Sequence, residues 1–577
     1  MASGYLIRKN QYYDSVFLMR VARALSDEPG VRECAVVMAT DANKELLAGL
    51  GIRAAEVSAA RPNDLVVAIL ANDEALIARL LGEMDARLTS SSQAVRAADY
   101  RSLEAACAAQ PQANLVVIST PGAYAGREAR KALEQGKHVF IFSDNVPLEQ
   151  EVELKQLGRA RRRLVMGPDC GTSLIGGVGI GFANRVRRGP VGIIGASGTG
   201  IQEFTSLIHQ AGSGISHAIG TGSHDLADAV GGITTLMALD VLGADPATEV
   251  IAVISKPAGA RTLELLQERI RRCPKPVIGC LLGLKTALDA GPRFVQARTI
   301  DQAVERTLAA LGVTSALLLR MPRKEKGEEI PPRFPGEEGR GVRSPRYLRG
   351  LFAGGTFCFQ AQQVLWDAGI PVYSNTPLDS RYRLTNPETS LEHSIIDMGD
   401  DHFTRGKPHP MIDATERRKR ILQEANDPEV AILLLDFILG EMAASDPVGD
   451  LIPAIRQAQE SAARRGGRLT VVASVCGTDL DVQGLDRQKA MLMEAGVYVL
   501  PSSAQAAEFC RDLIQRGEGG AMDDLMALFT GPLIAINVGV RDFGLALEQQ
   551  DVQVIYVDWS PPAGGDQEML DLLDQLL

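Results

Sequence analysis

Short apolar strands alternate with amphipathic stretches along almost the whole chain. The runs "ANLVVIST" (113–120), "KHVFIFS" (137–143), "GPVGIIGAS" (189–197), "ATEVIAVIS" (247–255) and "KPVIGCLLG" (275–283) each read as a buried strand with a helix-like segment after it. A near-continuous apolar strand needs cover on both faces, and the intervening helices supply it. The pattern therefore predicts an α/β chain of βαβ units in parallel sheets. With 577 residues there is length for about four domains. One stretch breaks the rhythm: 319–348, "LRMPRKEKGEEIPPRFPGEEGRGVRSPRYL", is rich in Pro, Gly and both charges, and predicts an exposed linker between two halves.

The halves read as copies of one another. In the first, a glycine turn reaches Thr199 and a helix pattern runs twelve residues to Ala211-Gly212; in the second, "LFAGGT" reaches Thr356 and the pattern runs twelve to Ala368-Gly369. Glu249 precedes Lys256, and Glu429 precedes Asp436, by the same seven positions. Two ordered matches point to duplication of one βαβ fold, with about 23 extra residues in the second copy.

The strongest local signal is "GPVGIIGASGTGIQEF" (189–204). A strand turns through glycines into a helix start, where free N–H groups and the helix dipole favour an anion. Ser197, Gly198, Thr199 and Gly200 are the expected ligands, and the absence of a Lys-Ser/Thr pair rules out a Walker A loop. "GPDCGTSL" (167–174) is either a second wall of this pocket or a plain turn. "AIGTGSHDLAD" (218–228) adds Gly222 as an anion ligand, while His224 reads equally as a ligand or a capping residue. Lys256 in "VISKPAG" ends a buried strand, where parallel sheets place their ligands. In the second half, Thr356 and Gly440 mark glycine turns of the same kind, and "DDHFTRGKPHPMIDATERRKR" (400–420) crowds Arg405, Lys407, His409, Asp413 and Arg417 together. That segment, with Asp436, is the candidate second pole of an active site. Lys256 and Arg405 would steady an oxyanion, and His409 with Asp413 would handle a proton.

The net charge of −11 gives no general attraction to nucleic acid. No apolar run approaches the ~18 residues that cross a bilayer, and the opening "MASGYLIRKNQYYDS" has no apolar signal core. A cytoplasmic protein without a membrane partner is expected. The eight cysteines form no CxxC pair, which fits a reducing compartment, and no metal site is expected.

Residues 113–174, with "STPGAYA", "SDNVPLEQEV" and "MGPDCGT", resemble the second half of the CoA-binding domain of the succinyl-CoA synthetase α subunit. Residues 189–316 resemble its ligase domain, and 349–515, with "LLLDFILGEM" and "VVASVCGTDLDVQ", resemble the ligase domain of the β subunit. Together with the tail "INVGVRDFGLALEQQDVQVIYVDWSPPAGGD" (536–566), the chain resembles the FdrA family. The resemblance implies a CoA-binding-like Rossmann domain over 1–165 with an atypical N-terminal part, then two flavodoxin-like ligase-type domains over 166–318 and 349–515. A linker (319–348) joins them, and a C-terminal βα segment covers 516–577. It departs from the synthetases at their relay histidine: none occurs between His224 and His393. The acidic partner of that histidine is replaced by Lys256, and the first 90 residues lack the usual glycine loop.

The FdrA resemblance implies a subunit of an oxamate (oxalurate) carbamoyltransferase in anaerobic allantoin and purine breakdown, working in an oligomer with two further subunits encoded nearby. Small anionic metabolites are the expected ligands. Carbamoyl phosphate would be substrate or product, no cofactor is certain, and CoA is left open. Two alternatives stay open: a succinyl-CoA synthetase-like acyl-CoA synthetase or CoA transferase, and a non-catalytic metabolite-binding scaffold.

Overall fold

The computed structural model describes residues 2–90, 100–313, 346–518 and 533–557, apart from positions 12, 14, 27, 257, 285, 405 and 406. All but the last three residues of the expected 319–348 linker, and the tail beyond 557, lie outside the described residues.

The span expected as one Rossmann domain contains two sheets. Strands β1 (Ala2–Arg8), β2 (Val31–Met38) and β3 (Leu65–Ala71) form a sheet of order β1-β3-β2 in which β3 runs antiparallel to both neighbours. This corrects the parallel expectation for the N-terminal part. Apolar alternation has the same period in either strand direction, so it does not encode which way a neighbour runs. Both faces are covered, one by a core around Leu25, Val67 and Leu80, the other by one around Leu47, Val57 and Ala68. Strands β4 (Leu115–Ile118), β5 (His138–Ile141) and β6 (Val165–Met166) form a separate three-stranded parallel sheet.

The next sheet contains β7 (Thr172–Ile175), β8 (Val178–Gly181), β9 (Arg188–Gly195), β10 (Ile215–Gly220), β11 (Val250–Ser255), β12 (Val277–Leu281) and β13 (Phe294–Ala297). Its order is β13-β12-β11-β9-β10-β7-β8, with β9 to β13 parallel and the β7–β8 hairpin added antiparallel to β10. The second half has β14 (Tyr347–Phe352), β15 (Ser394–Asp397), β16 (Val430–Ile438), β17 (Thr470–Cys476) and β18 (Tyr498–Leu500) in the wholly parallel order β15-β14-β16-β17-β18. Counted from its first parallel strand, each half has the order 2-1-3-4-5. In this order the chain reverses beside the first strand, and a crevice opens at the strand carboxyl ends.

The first helix of each half begins there. The Gly198 helix (Gly198–Gln210) and the Gly355 helix (Gly355–Asp367) are both 13 residues long, and Thr199 and Thr356 hold their second positions. Each has an alanine C-cap, Ala211 or Ala368, followed by a glycine at φ +86° or +77° that only glycine adopts freely. The other matched spacing is not a structural equivalence: Lys256 lies one residue past the end of β11, whereas Asp436 is buried inside β16.

Residues 1–511 make one compact unit. The remaining unit includes β19 (Ile534–Val538) and β20 (Gln553–Val557), a parallel pair joined by the helix Arg541–Glu548.

Candidate functional site

The two helix starts face each other. Ser197 caps the Gly198 helix by accepting the Gly200 N–H at 3.2 Å, and its Oγ also meets Thr356 Oγ1 of the other half. Gly354 precedes the Gly355 helix and offers no side-chain cap. The first intrahelical bonds are Ile201 N–H to Ser197 O and Cys358 N–H to Gly354 O. The N–H groups of Gly198 and Thr199 on one side, and of Gly355, Thr356 and Phe357 on the other, are left without helical acceptors. A pair of facing helix N-termini is a concentrated positive field for an anion.

Gly198 and Gly200 have helical backbone, so space rather than φ demands glycine. A methyl on Gly200 would sit 3.1 Å from Ile254, 3.2 Å from Ser197 Oγ and 3.2 Å from Thr356 Cγ2. A methyl on Gly198 would sit 3.1 Å from Thr172 Oγ1. The "GPDCGTSL" turn therefore lies against the start of the Gly198 helix.

Three side chains complete the site. Lys256 is exposed and makes no ion pair or hydrogen bond among the described residues. A methyl on Gly355 would lie 3.5 Å from Lys256 Nζ and 2.6 Å from Asp397 Oδ2, so both atoms border one small space at the Gly355 helix start. Asp397 ends β15 and is 5% exposed. Asn375 fixes its backbone, accepting the Asp397 N–H and donating to the Asp397 carbonyl, both at 2.9 Å. Asp397 Oδ1 accepts the Gly399 N–H at 3.0 Å, while Oδ2 accepts nothing among the described residues. Burial lifts this carboxyl to about 6 against the lowering pull of Lys256, with Asp400 and Asp436 pushing the same way as burial. His409 completes the wall: a methyl on Gly399 would be 2.8 Å from His409 Nε2 and 3.3 Å from Asp397 Oδ1. His409 Nδ1 accepts the Met411 N–H at 3.2 Å, and burial with nearby Arg417 lowers the ring to about 4. A neutral ring with Nδ1 accepting presents Nε2–H as a donor.

Other expected residues take different roles. Asp413 does not pair with His409: its carboxylate accepts the Thr415 N–H at 2.7 Å, at the first residue of the helix Thr415–Ala425. A short polar side chain just before a helix finds an orphan N–H closer than any more distant partner. Gly440 is no anion donor either, since Gln483 accepts its N–H at 3.2 Å. Gly222, at φ +85°, is held tightly on the Gly167-Pro168 turn, where a methyl would fall 2.2 Å from Pro168 O. His224 bonds Glu151 at 3.3 Å. Arg417 and Asp436 form a buried pair at 2.9 Å, and Asp436 also takes the Ala353 and Gly354 N–H groups at 2.8 Å. That pair shapes the turn beneath the site. Arg405 lies outside the described residues. Asp397, in "SIIDMGD", was not singled out in the sequence; its position at a strand carboxyl end is the signal that could have found it.

Residues 351–512 match the family described as CoA-ligase, 186–273 that described as CoA binding domain, and 1–131 that described as AllF, heavy metal-associated domain. The CoA-binding match falls on the first half's large sheet, not on 113–174. The chain is 40% identical over 519 residues to the uncharacterized protein YahF of Escherichia coli (strain K12), covering 90% of this chain and 100% of that one. It is 27% identical over 222 residues to the succinate–CoA ligase (ADP-forming) subunit alpha of Aquifex aeolicus, covering 37% of this chain and 71% of that one. Among solved structures, the dinucleotide forming acetyl-coenzyme A synthetase 1 of Ca. Korarchaeum cryptofilum is 17% identical. It covers 71% of this chain and 85% of that one at a TM-score of 0.29, too loose to support anything further.

The residues present do not fit a heavy metal. Residues 1–131 hold two cysteines and no histidine, and Cys34 already donates to Ala22 O at 3.1 Å. Among the described residues no group of three His, Cys, Asp or Glu could hold a metal ion. The free N–H groups and Lys256 do fit the phosphate or carboxylate end of a small ligand, the part of CoA or of an acyl phosphate that such a turn can hold. No described helix is long and apolar enough to cross a membrane.

Proposed function

The chain belongs to the family of YahF, and its CoA-binding and CoA-ligase domains are succinyl-CoA synthetase-like; on that footing we propose that it is the FdrA-type subunit of an oxamate (oxalurate) carbamoyltransferase of allantoin catabolism. The observation that carries the reading is the pair of facing helix starts with an unpaired Lys256 between them, on a scaffold whose relay histidine is missing. Such a site can hold a phosphate and an adjacent carbonyl but lacks the relay histidine that carries phosphate away in the synthetases. In the reaction, a phosphate oxygen forms a bond to the carbamoyl carbon of oxalurate. The C–N bond to oxamate breaks, and the departing nitrogen takes the proton that the attacking hydrogen phosphate gives up. The Gly198 and Gly355 helix starts hold the phosphate. Lys256 and the His409 Nε2–H face the developing oxyanion. Two further subunits encoded nearby complete the oligomer.

The test is an assay of the protein, alone and with its neighbouring gene products, for carbamoyl phosphate formation from oxalurate and phosphate, and for ADP formation with CoA, ATP and succinate. Carbamoyl phosphate without ADP is expected. CoA-dependent ADP formation without carbamoyl phosphate would replace this reading with the acyl-CoA synthetase one.

A further inference from the structure

Asp397 is out of place in a pure anion site. A carboxylate at the Gly355 helix start cancels part of the field that attracts a phosphate, by simple Coulomb repulsion. Yet it is held there firmly: Asn375 clamps its backbone from both sides, and Gly399 fixes Oδ1. Among the described residues Oδ2 is left without a donor, and it borders the same space as Lys256 Nζ. The two do not close into a salt bridge, so the space between them is framed by an acceptor on one side and a cation on the other.

A ligand that satisfies this frame carries an anionic end and, a few ångströms away, N–H donors. We infer that Asp397 Oδ2 is an amide-recognising subsite, accepting an N–H of the primary amide of a carbamoyl-bearing anion while Lys256 and the helix starts hold its charged end. This rests on the carbamoyltransferase reading and deepens it, because it identifies the group that tells a carbamoyl from an acetyl compound of the same shape. A buried acceptor left unpaired by a methyl discriminates more strongly than an apolar pocket could. With Oδ2 ionised, its bond to an amide N–H is charge-assisted.

The test uses two stable ligands that differ only in NH2 against CH3, phosphonoacetamide and acetonylphosphonate, with inorganic phosphate as the control, titrated calorimetrically at pH 7.5. Wild type should bind phosphonoacetamide about 10-fold more tightly than acetonylphosphonate, the worth of one hydrogen bond to a charged acceptor. Asp397→Asn should bring the two ligands to near equality, and Lys256→Met should weaken both while keeping their ratio. Gly355→Ala, whose methyl occupies the space at Oδ2, gives a second route and should also abolish the preference. Equal binding of the two ligands by wild type alongside binding of phosphate would overturn the subsite and leave the anion site standing. Failure of phosphate itself to bind would overturn both. A preference that survives Asp397→Asn and Gly355→Ala would assign amide recognition elsewhere and sink this proposal alone.

Discussion

Glu203 and Gln360 each cap a helix across the junction of the two halves. They stand four residues after Thr199 and Thr356, so they are counterparts in the two copies. Glu203 Oε1 accepts the Ser503 N–H at 2.7 Å at the start of the helix Ser503–Glu518, and Gln360 Oε1 accepts the Ile300 N–H at 2.8 Å at the start of the helix Ile300–Ala310. Ser503 Oγ bonds both, at 2.7 Å to Glu203 Oε2 and 2.7 Å to Gln360 Nε2. This near-twofold exchange fixes one half on the other and sets the spacing of the helix starts at the site.

The exchange is not symmetric in charge, and that gives a pH dependence. Burial, then the neighbouring Asp301, lifts the Glu203 carboxyl to about 8. The folded state therefore keeps a proton that the unfolded chain releases above its ordinary carboxylate range, so stability falls as pH rises from there through about 8. Thermal melts of wild type should drop by several degrees between pH 6 and pH 9, a loss on the order of a few kcal/mol. Glu203→Gln, which restores the match with Gln360, should flatten the curve and melt higher at pH 9. An unchanged slope would assign the pH dependence to another group.

Asp397 titrates in the opposite functional sense. With its carboxyl lifted to about 6, it is ionised at pH 7.5 and repels an anion; below pH 6 its neutral form predominates. Sulfate, whose own charge is constant over this range, should bind several-fold more tightly at pH 5.5 than at pH 7.5. Asp397→Asn should bind sulfate tightly at both.

Two residues of one turn should separate stability from binding. Gly200→Val must displace Ile254, Ser197 or Thr356 and should cost about 1–3 kcal/mol in urea melts. Thr199→Val, at a half-buried position where the hydroxyl makes no bond among the described residues, should leave the midpoint within about 0.5 kcal/mol and weaken phosphate binding.

Arg417 is 3% exposed and donates to Asp436 Oδ1, Asp436 O and Leu351 O between 2.8 and 2.9 Å. Arg417→Met leaves a buried carboxylate without its cation and should cost about 3–5 kcal/mol. The double change with Asp436→Asn should recover part of this, read from the same denaturant melts.

Incubation with radiolabelled ATP should leave no acid-labile, base-stable label on the chain. His409 is the histidine at the site, and its Nε2 carries the proton rather than a nucleophilic lone pair. Such a label would restore the synthetase relay.

The glycine turns at Gly198 and Gly355, the equal helix lengths and the α/β class were legible in the sequence because each is a local property. Apolar period, capping serine and helix-ending glycine act within a few residues of one another, so spacing alone carries them. The antiparallel turn of β1 and β2 onto β3 was not legible, since strand direction is set by which partner the chain returns to. The site behaved in the same way. Ser197, Thr199, Thr356 and Lys256 could be picked out individually by their place at strand ends. Their meeting with Asp397 was decided by the packing of one half on the other, whereas Asp413 was taken up by an N–H two residues on and Gly440 by Gln483 of its own half. That packing brings together atoms 159 residues apart, as at Ser197 and Thr356, and competition among hydrogen-bond partners at such distances leaves no mark in local spacing.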